Sequence, residues 1–223
     1  MKRIVFLIIF SFYLQIFAQS RYYFNKHEIT RSSTIKLGNF GPSATESGLI
    51  IGYESGKYID RNFDIGWSVD WFNKNYVDQV LVKEFNDYYG YFESDLNEVR
   101  AKTNLHSIPI LFNMTAKFPM ASRLSSFITA GVGVEALLIF YRDYQHPNEN
   151  EFEGAFDFNW RLGFGVAYQL GRNSDFVAEI TYHSSNPSWT YEINDPLVGR
   201  KQILEREFDM SGLMARIGFK FYY

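Results

Sequence analysis

The stretch Ala155-Phe156-Asp157-Phe158-Asn159-Trp160-Arg161-Leu162-Gly163-Phe164-Gly165-Val166-Ala167-Tyr168-Gln169-Leu170 sorts its side chains at every step. Phe156, Phe158, Trp160, Leu162, Phe164, Val166, Tyr168 and Leu170 fall on one face, and Asp157, Asn159, Arg161, Gly163, Gly165 and Gln169 on the other. Extended backbone alternates its side chains with a period of two, whereas a helix would mix these two sets, so the stretch is a strand.

The same alternation recurs outward from it. Leu213, Ala215, Ile217, Phe219, Phe221 and Tyr223 alternate with Arg216, Gly218, Lys220 and Tyr222, and Phe63, Ile65, Trp67, Val69 and Trp71 alternate with Asp64, Gly66, Ser68 and Asp70. Residues 128–138 repeat the pattern, 103–117 and 175–184 follow it less regularly, 48–56 reads as a strand and 29–38 weakly as the first. The set is eight strands. Tight connections near 57–61, 118–124 and 171–174 alternate with longer ones, the longest spanning 73–102. Short turns on one side and long loops on the other are the habit of an up-and-down antiparallel barrel in a membrane.

Alternation alone leaves open which face points inward. The polar face carries Gly38, Gly52, Gly66, Gly131, Gly133, Gly163, Gly165 and Gly218, where a solvated strand surface would favour Thr, Lys and Glu. An eight-stranded barrel has an interior just wide enough for side chains, too narrow for the Phe, Trp, Ile and Leu of the other face. Lipid accommodates them. The fold class expected is therefore all-β, an eight-stranded antiparallel transmembrane barrel with its apolar face outward.

Composition agrees with this address. Met1-Lys2-Arg3 followed by an apolar run to Phe17, with Ala18 and Ser20 as small residues, has the layout of a cleaved signal peptide over residues 1–20, leaving 21–223 as one barrel domain. Aromatic residues make up 19% of the chain, more than a soluble core of this size requires, and girdles at the bilayer surfaces would use them. Losing Lys2 and Arg3 takes the formal charge from -3 to -5, with no basic block, which sets nucleic acid aside as a partner. There are no cysteines, hence no disulfide or thiolate site. His27, His106 and His146 have no ligand spacing, so neither a metal nor another cofactor is expected.

Ile108-Pro109-Ile110-Leu111-Phe112, Ala130-Gly131-Val132-Gly133-Val134 and the ending Gly218-Phe219-Lys220-Phe221 make nearly the whole mature chain resemble the small OmpA/OmpX-type outer-membrane barrels. The resemblance implies residence in the outer membrane of a Gram-negative envelope among its lipid and lipopolysaccharide. It also implies recognition of Phe219, Phe221 and Tyr223 by the barrel-insertion machinery.

The inward face holds Asp70, Glu135, Arg161, Glu179, His183 and Arg216, with Glu135, Arg161 and Arg216 at similar depth by residue count. Charges in a narrow lumen must pair, and guanidinium forks suit carboxylates. The expectation is a carboxylate-guanidinium layer, read as a structural plug, with a small ion path as the alternative. His183-Ser184-Ser185-Asn186 resembles the H-x-S-N pattern of lipid A 3-O-deacylases, which would make His183 and Ser185 catalytic, with Glu192 as the acid nearby. Leu197 stands where that family has a Glu, and Pro187 follows Asn186 in place of a small residue. Residues 73–102 mix aromatics such as Tyr88, Tyr89 and Tyr91 with acids such as Asp87 and Glu93. They read as a contact surface for an extracellular ligand, or as an extension of strands three and four through Val80-Leu81-Val82.

Overall fold

The computed structural model describes residues 31–60, 62–77, 79, 82–83, 86, 102–142, 150–194 and 201–223. Its strands are β1 (Arg31–Pro42), β2 (Gly48–Tyr58), β3 (Phe63–Val77), β4 (Lys102–Pro119), β5 (Leu124–Arg142), β6 (Asn150–Gln169), β7 (Ser174–Ser184), β8 (Ser188–Asn194), β9 (Lys201–Glu207) and β10 (Gly212–Tyr222). Eight of them close into an antiparallel barrel in the order β1-β10-β7-β6-β5-β4-β3-β2, while β8 and β9 pair only with each other.

All eight barrel strands coincide with stretches read from alternation, and most are longer: β1 runs on to Pro42, β3 to Val77 and β5 to Arg142. The β8–β9 hairpin, inserted between the last two barrel strands, was not foreseen. The extension through Val80-Leu81-Val82 is a correction. Strand β3 stops at Val77, and Gln79, Val82, Lys83 and Asn86 are helical. The leader at 1–20 and most of 73–102 lie outside the described residues.

Following Cα partners round the wall from Ser32 through Gly56, Gly66, Asn113, Gly131, Arg161, His183 and Gly212 ends at Pro42, ten residues along β1 from its start. A stagger of ten over eight strands tilts each strand by about 40° from the barrel axis. The seam between first and last strands extends to the chain's end, where Arg31 and Tyr223 exchange backbone hydrogen bonds of 3.1 Å each. The short turns and this seam end share one rim.

The outward positions of β6 are exposed from Phe156, at 76%, through Phe164 to Tyr168. No helix among the described residues is long and apolar enough to cross a membrane, and an outward apolar band of this kind is what a transmembrane barrel turns to lipid. The inward glycines make room for larger neighbours. A Cβ on Gly52 would run into Asp70 Oδ1, and one on Gly165 into the Phe127 ring.

Candidate functional site: the filled lumen

The lumen is stacked in layers, each built from inward positions of several strands. Nearest the short turns, Lys220 Nζ donates to Asp64 Oδ2 at 2.8 Å, Tyr222 OH donates to Asp175, and Lys117 Nζ donates to Tyr58 OH and, at 3.0 Å, to Tyr222 OH. The Lys117 ammonium also lies over the two tyrosine rings, 4.8 and 5.1 Å from their centroids. Above this floor a small cavity of about 20 Å³, on the scale of one water molecule, is lined by Thr34, Lys36, Glu54, Thr115, Phe127 and Lys220 among others.

The central layer is an unbroken chain of ion pairs. Lys36 Nζ lies 2.6 Å from Glu54 and 3.0 Å from Glu179, Glu179 lies 2.5 Å from Arg216 Nη2, Arg216 Nη1 lies 2.9 Å from Asp70, and Asp70 lies 2.5 Å from Arg161 Nη1. These residues come from β1, β2, β7, β10, β3 and β6. The site residues Asp70, Arg161, Glu179 and Arg216 are thus brought together.

Glu135 is the departure from the expected layer. Its carboxylate meets His183 Nε2 at 2.7 Å and accepts from Ser107 Oγ at 2.6 Å, and it touches neither guanidinium. The register explains this, because β6 pairs Arg161 with Gly131, four residues short of Glu135 on β5, and sets Glu135 nearer the long loops. Glu54 and Lys36, the first two members of the ion chain, are not legible because the alternation of β1 and β2 is weak, although both are charged residues at inward positions. The amide of Asn159, Nε and Nη2 of Arg161, Thr181 Oγ1 and His183 Nδ1 are buried without a partner among the described residues, leaving hydrogen-bonding capacity turned into the lumen.

Toward the long loops the lumen turns apolar. Phe40, Ile50, Phe72, Leu105, Leu137, Ile139, Ala155 and Met214 cluster with Phe208 and Met210 from the segment entering β10. Phe40 and Phe72 meet edge to face at 5.1 Å. The segment is tied down on both sides: Phe208 N donates to Pro187 O, Met210 N to Ser185 O, and Ala44 N to Asp209 O. Burial alone would raise the Asp209 carboxyl, but hydrogen bonds from the Ser211 backbone, at 2.9 Å, and from the hydroxyls of Ser211 and Ser43 hold it below its ordinary value.

No hydrogen bond joins His183 to Ser185. His183 is fully buried and turned to Glu135, Ser185 Oγ lies 3.4 Å from Asp157 Oδ2, and Asn186 N donates to the same oxygen at 2.6 Å. Glu192 lies on β8, and its side chain is outside the described ones. The described residues hold no cluster of His, Asp and Glu able to bind a metal.

The layered lumen inside a lipid-facing wall can be set beside known structures. Over 88% of its length the chain superposes on all of a major outer-membrane protein of Thermus thermophilus, with a TM-score of 0.59 and 15% identity. This is the fold of the small outer-membrane β-barrels. OprG of Pseudomonas aeruginosa, at TM-score 0.56 and 12% identity, is matched over 88% of this chain and 97% of its own. Neisserial surface protein A, at 0.53 and 10%, is matched over 87% and 97%. Neither a family model nor a curated protein matches the sequence. Identities so low speak for the fold alone, a closed eight-stranded antiparallel barrel shared with these outer-membrane proteins.

Proposed function

We propose that this outer-membrane barrel is a closed one, serving envelope structure or surface contact and conducting no ions. The observation that carries this reading is the ion-pair chain from Glu54 to Arg161, sealed by the Phe40–Phe72–Met210 cluster on one side and the Lys220–Asp64 pair on the other. Charges so placed neutralise one another and fill the lumen between the two seals. Recording from planar bilayers tests it. The expected trace is flat, and stable openings of porin size would overturn the reading in favour of a small pore.

The same reading includes export through a leader cut between Ala18 and Ser20, insertion signalled by Phe219, Phe221 and Tyr223, and contact with outer-leaflet lipid and lipopolysaccharide. Extracellular ligands would meet the rim that carries residues 73–102. A deacylase is the weaker reading, since the group within hydrogen-bonding distance of Ser185 Oγ is Asp157 and not His183.

A further inference from the structure

The cavity between the floor of the lumen and its ion chain has a wall of one dominant sign. Lys36 from β1, Lys117 from β4 and Lys220 from β10 bring ammonium groups to it, and Glu54 from β2 brings a carboxylate, so three positive charges face it against one negative. Glu179, 3.0 Å from Lys36, and Asp64, 2.8 Å from Lys220, hold two of these ammoniums without lining the cavity. Burial agrees with this: the side chains of Lys36 and Lys220 keep 7% of their surface, against 0% for Glu179 and 3% for Asp64. Inside a sealed lumen, surface left to a side chain is surface turned to a cavity.

The wall also has hydrogens to give. An ammonium carries three, and Lys36 places two of them, on Glu54 at 2.6 Å and on Glu179 at 3.0 Å. Thr34, Thr115 and Thr129 add hydroxyls to the lining. Thr115 Oγ1 donates to Thr129 Oγ1 at 3.3 Å, which leaves the Thr129 hydrogen for the cavity.

We propose that this cavity is a site for one small inorganic anion of the halide class, taken up as the barrel closes. A halide accepts hydrogens from every side and has none to place, whereas a water molecule must also find acceptors for two. It puts negative charge where the wall is positive. A volume of about 20 Å³ suits a single atom and excludes sulfate or a carboxylate. With the Lys220–Asp64 pair below and the ion chain above, the site fills during folding and empties slowly. The proposal rests on the reading of a closed lumen, and gives that lumen a bound component.

The test folds the mature chain into phosphatidylcholine vesicles in sodium bromide, then passes the vesicles into sodium gluconate of equal ionic strength. Bromide retained is counted by X-ray fluorescence, and one per chain is expected. Thr34→Val with Thr129→Val keeps the shape of both side chains and removes two donors. It should hold bromide about tenfold more weakly, as the loss of one or two hydrogen bonds implies. No bromide retained by the unaltered chain would mean a water site and overturns the proposal, and bromide held equally by the double variant would be an adventitious ion only and overturns it too. Should the variant fail to insert, anomalous diffraction from crystals grown in bromide decides: a peak touching Lys36 and Lys220 is expected, and a peak elsewhere sinks the site. Flat conductance with no retained bromide removes the site and leaves the closed lumen standing, whereas open channels remove both.

Discussion

Arg216 Nη1 lies 2.9 Å from Asp70 Oδ1, a contact across the lumen between β10 and β3, strands separated in the wall by β1 and β2. Both side chains are buried, so neither charge can fall back on solvent. Arg216→Ala is expected to cost about 3–5 kcal/mol, the usual penalty for leaving a buried charge unpaired. Arg161→Ala should follow it, because Asp70 is shared by both guanidiniums. Replacing Asp70 and Arg161 together by Met should recover a large part of the Arg161→Ala loss, because Arg216 keeps Glu179. Urea unfolding in lipid vesicles measures all of these.

Glu135→Gln should destabilise less than Arg216→Ala, since the amide still accepts from Ser107 and still faces His183. Ser185→Ala should leave stability within about 0.5 kcal/mol, as a lost 3.4 Å contact would. The same variant should leave fatty-acid release from purified lipopolysaccharide at background. Release that depends on Ser185 would restore the deacylase reading.

Phe72→Ala removes a fully buried ring from the apolar cap, with an expected loss of about 3–5 kcal/mol. Conductance should stay flat in this variant, because the ion-pair chain does not depend on Phe72. Openings that appear in Phe72→Ala would move the seal from the charged layer to the cap.

Arginine on the outer wall should report depth in the bilayer. Val132→Arg, on an exposed outward position midway along β5, is expected to cost about 2–4 kcal/mol, and Phe152→Arg, where the ring packs on Phe140 near the loop end of β6, about 0–1 kcal/mol. Equal costs at both positions would put these two rings inside the hydrocarbon.

The strands were legible because alternation is a local property, and β6 alone displays it over most of its 20 residues. The pairing of charges was not, because it depends on the stagger between strands, which no single strand encodes. Glu135 and Arg161 both read as central, yet the ladder sets them four residues apart, and the closed wall gives Glu135 to His183. The apolar cap was hidden differently. Phe72 follows Trp71 and Ile139 follows Leu138, so each reads as a lapse in alternation when it is an inward apolar residue at the loop end of its strand. Such doublets at strand ends were the available signal. The β8–β9 hairpin gave none that a charged loop would not also give.

Arg216, Lys220 and Tyr222 all belong to β10, and they bind Asp70 and Glu179, Asp64, and Asp175 in turn. Until that strand docks, the other seven hold several carboxylates facing a gap with too few cations, and the sheet repels itself across it. A half-built barrel is therefore poorly placed to persist, and folding should pass from open sheet to finished cylinder in a single cooperative step. The clasp of this molecule works on charge as much as on backbone pairing.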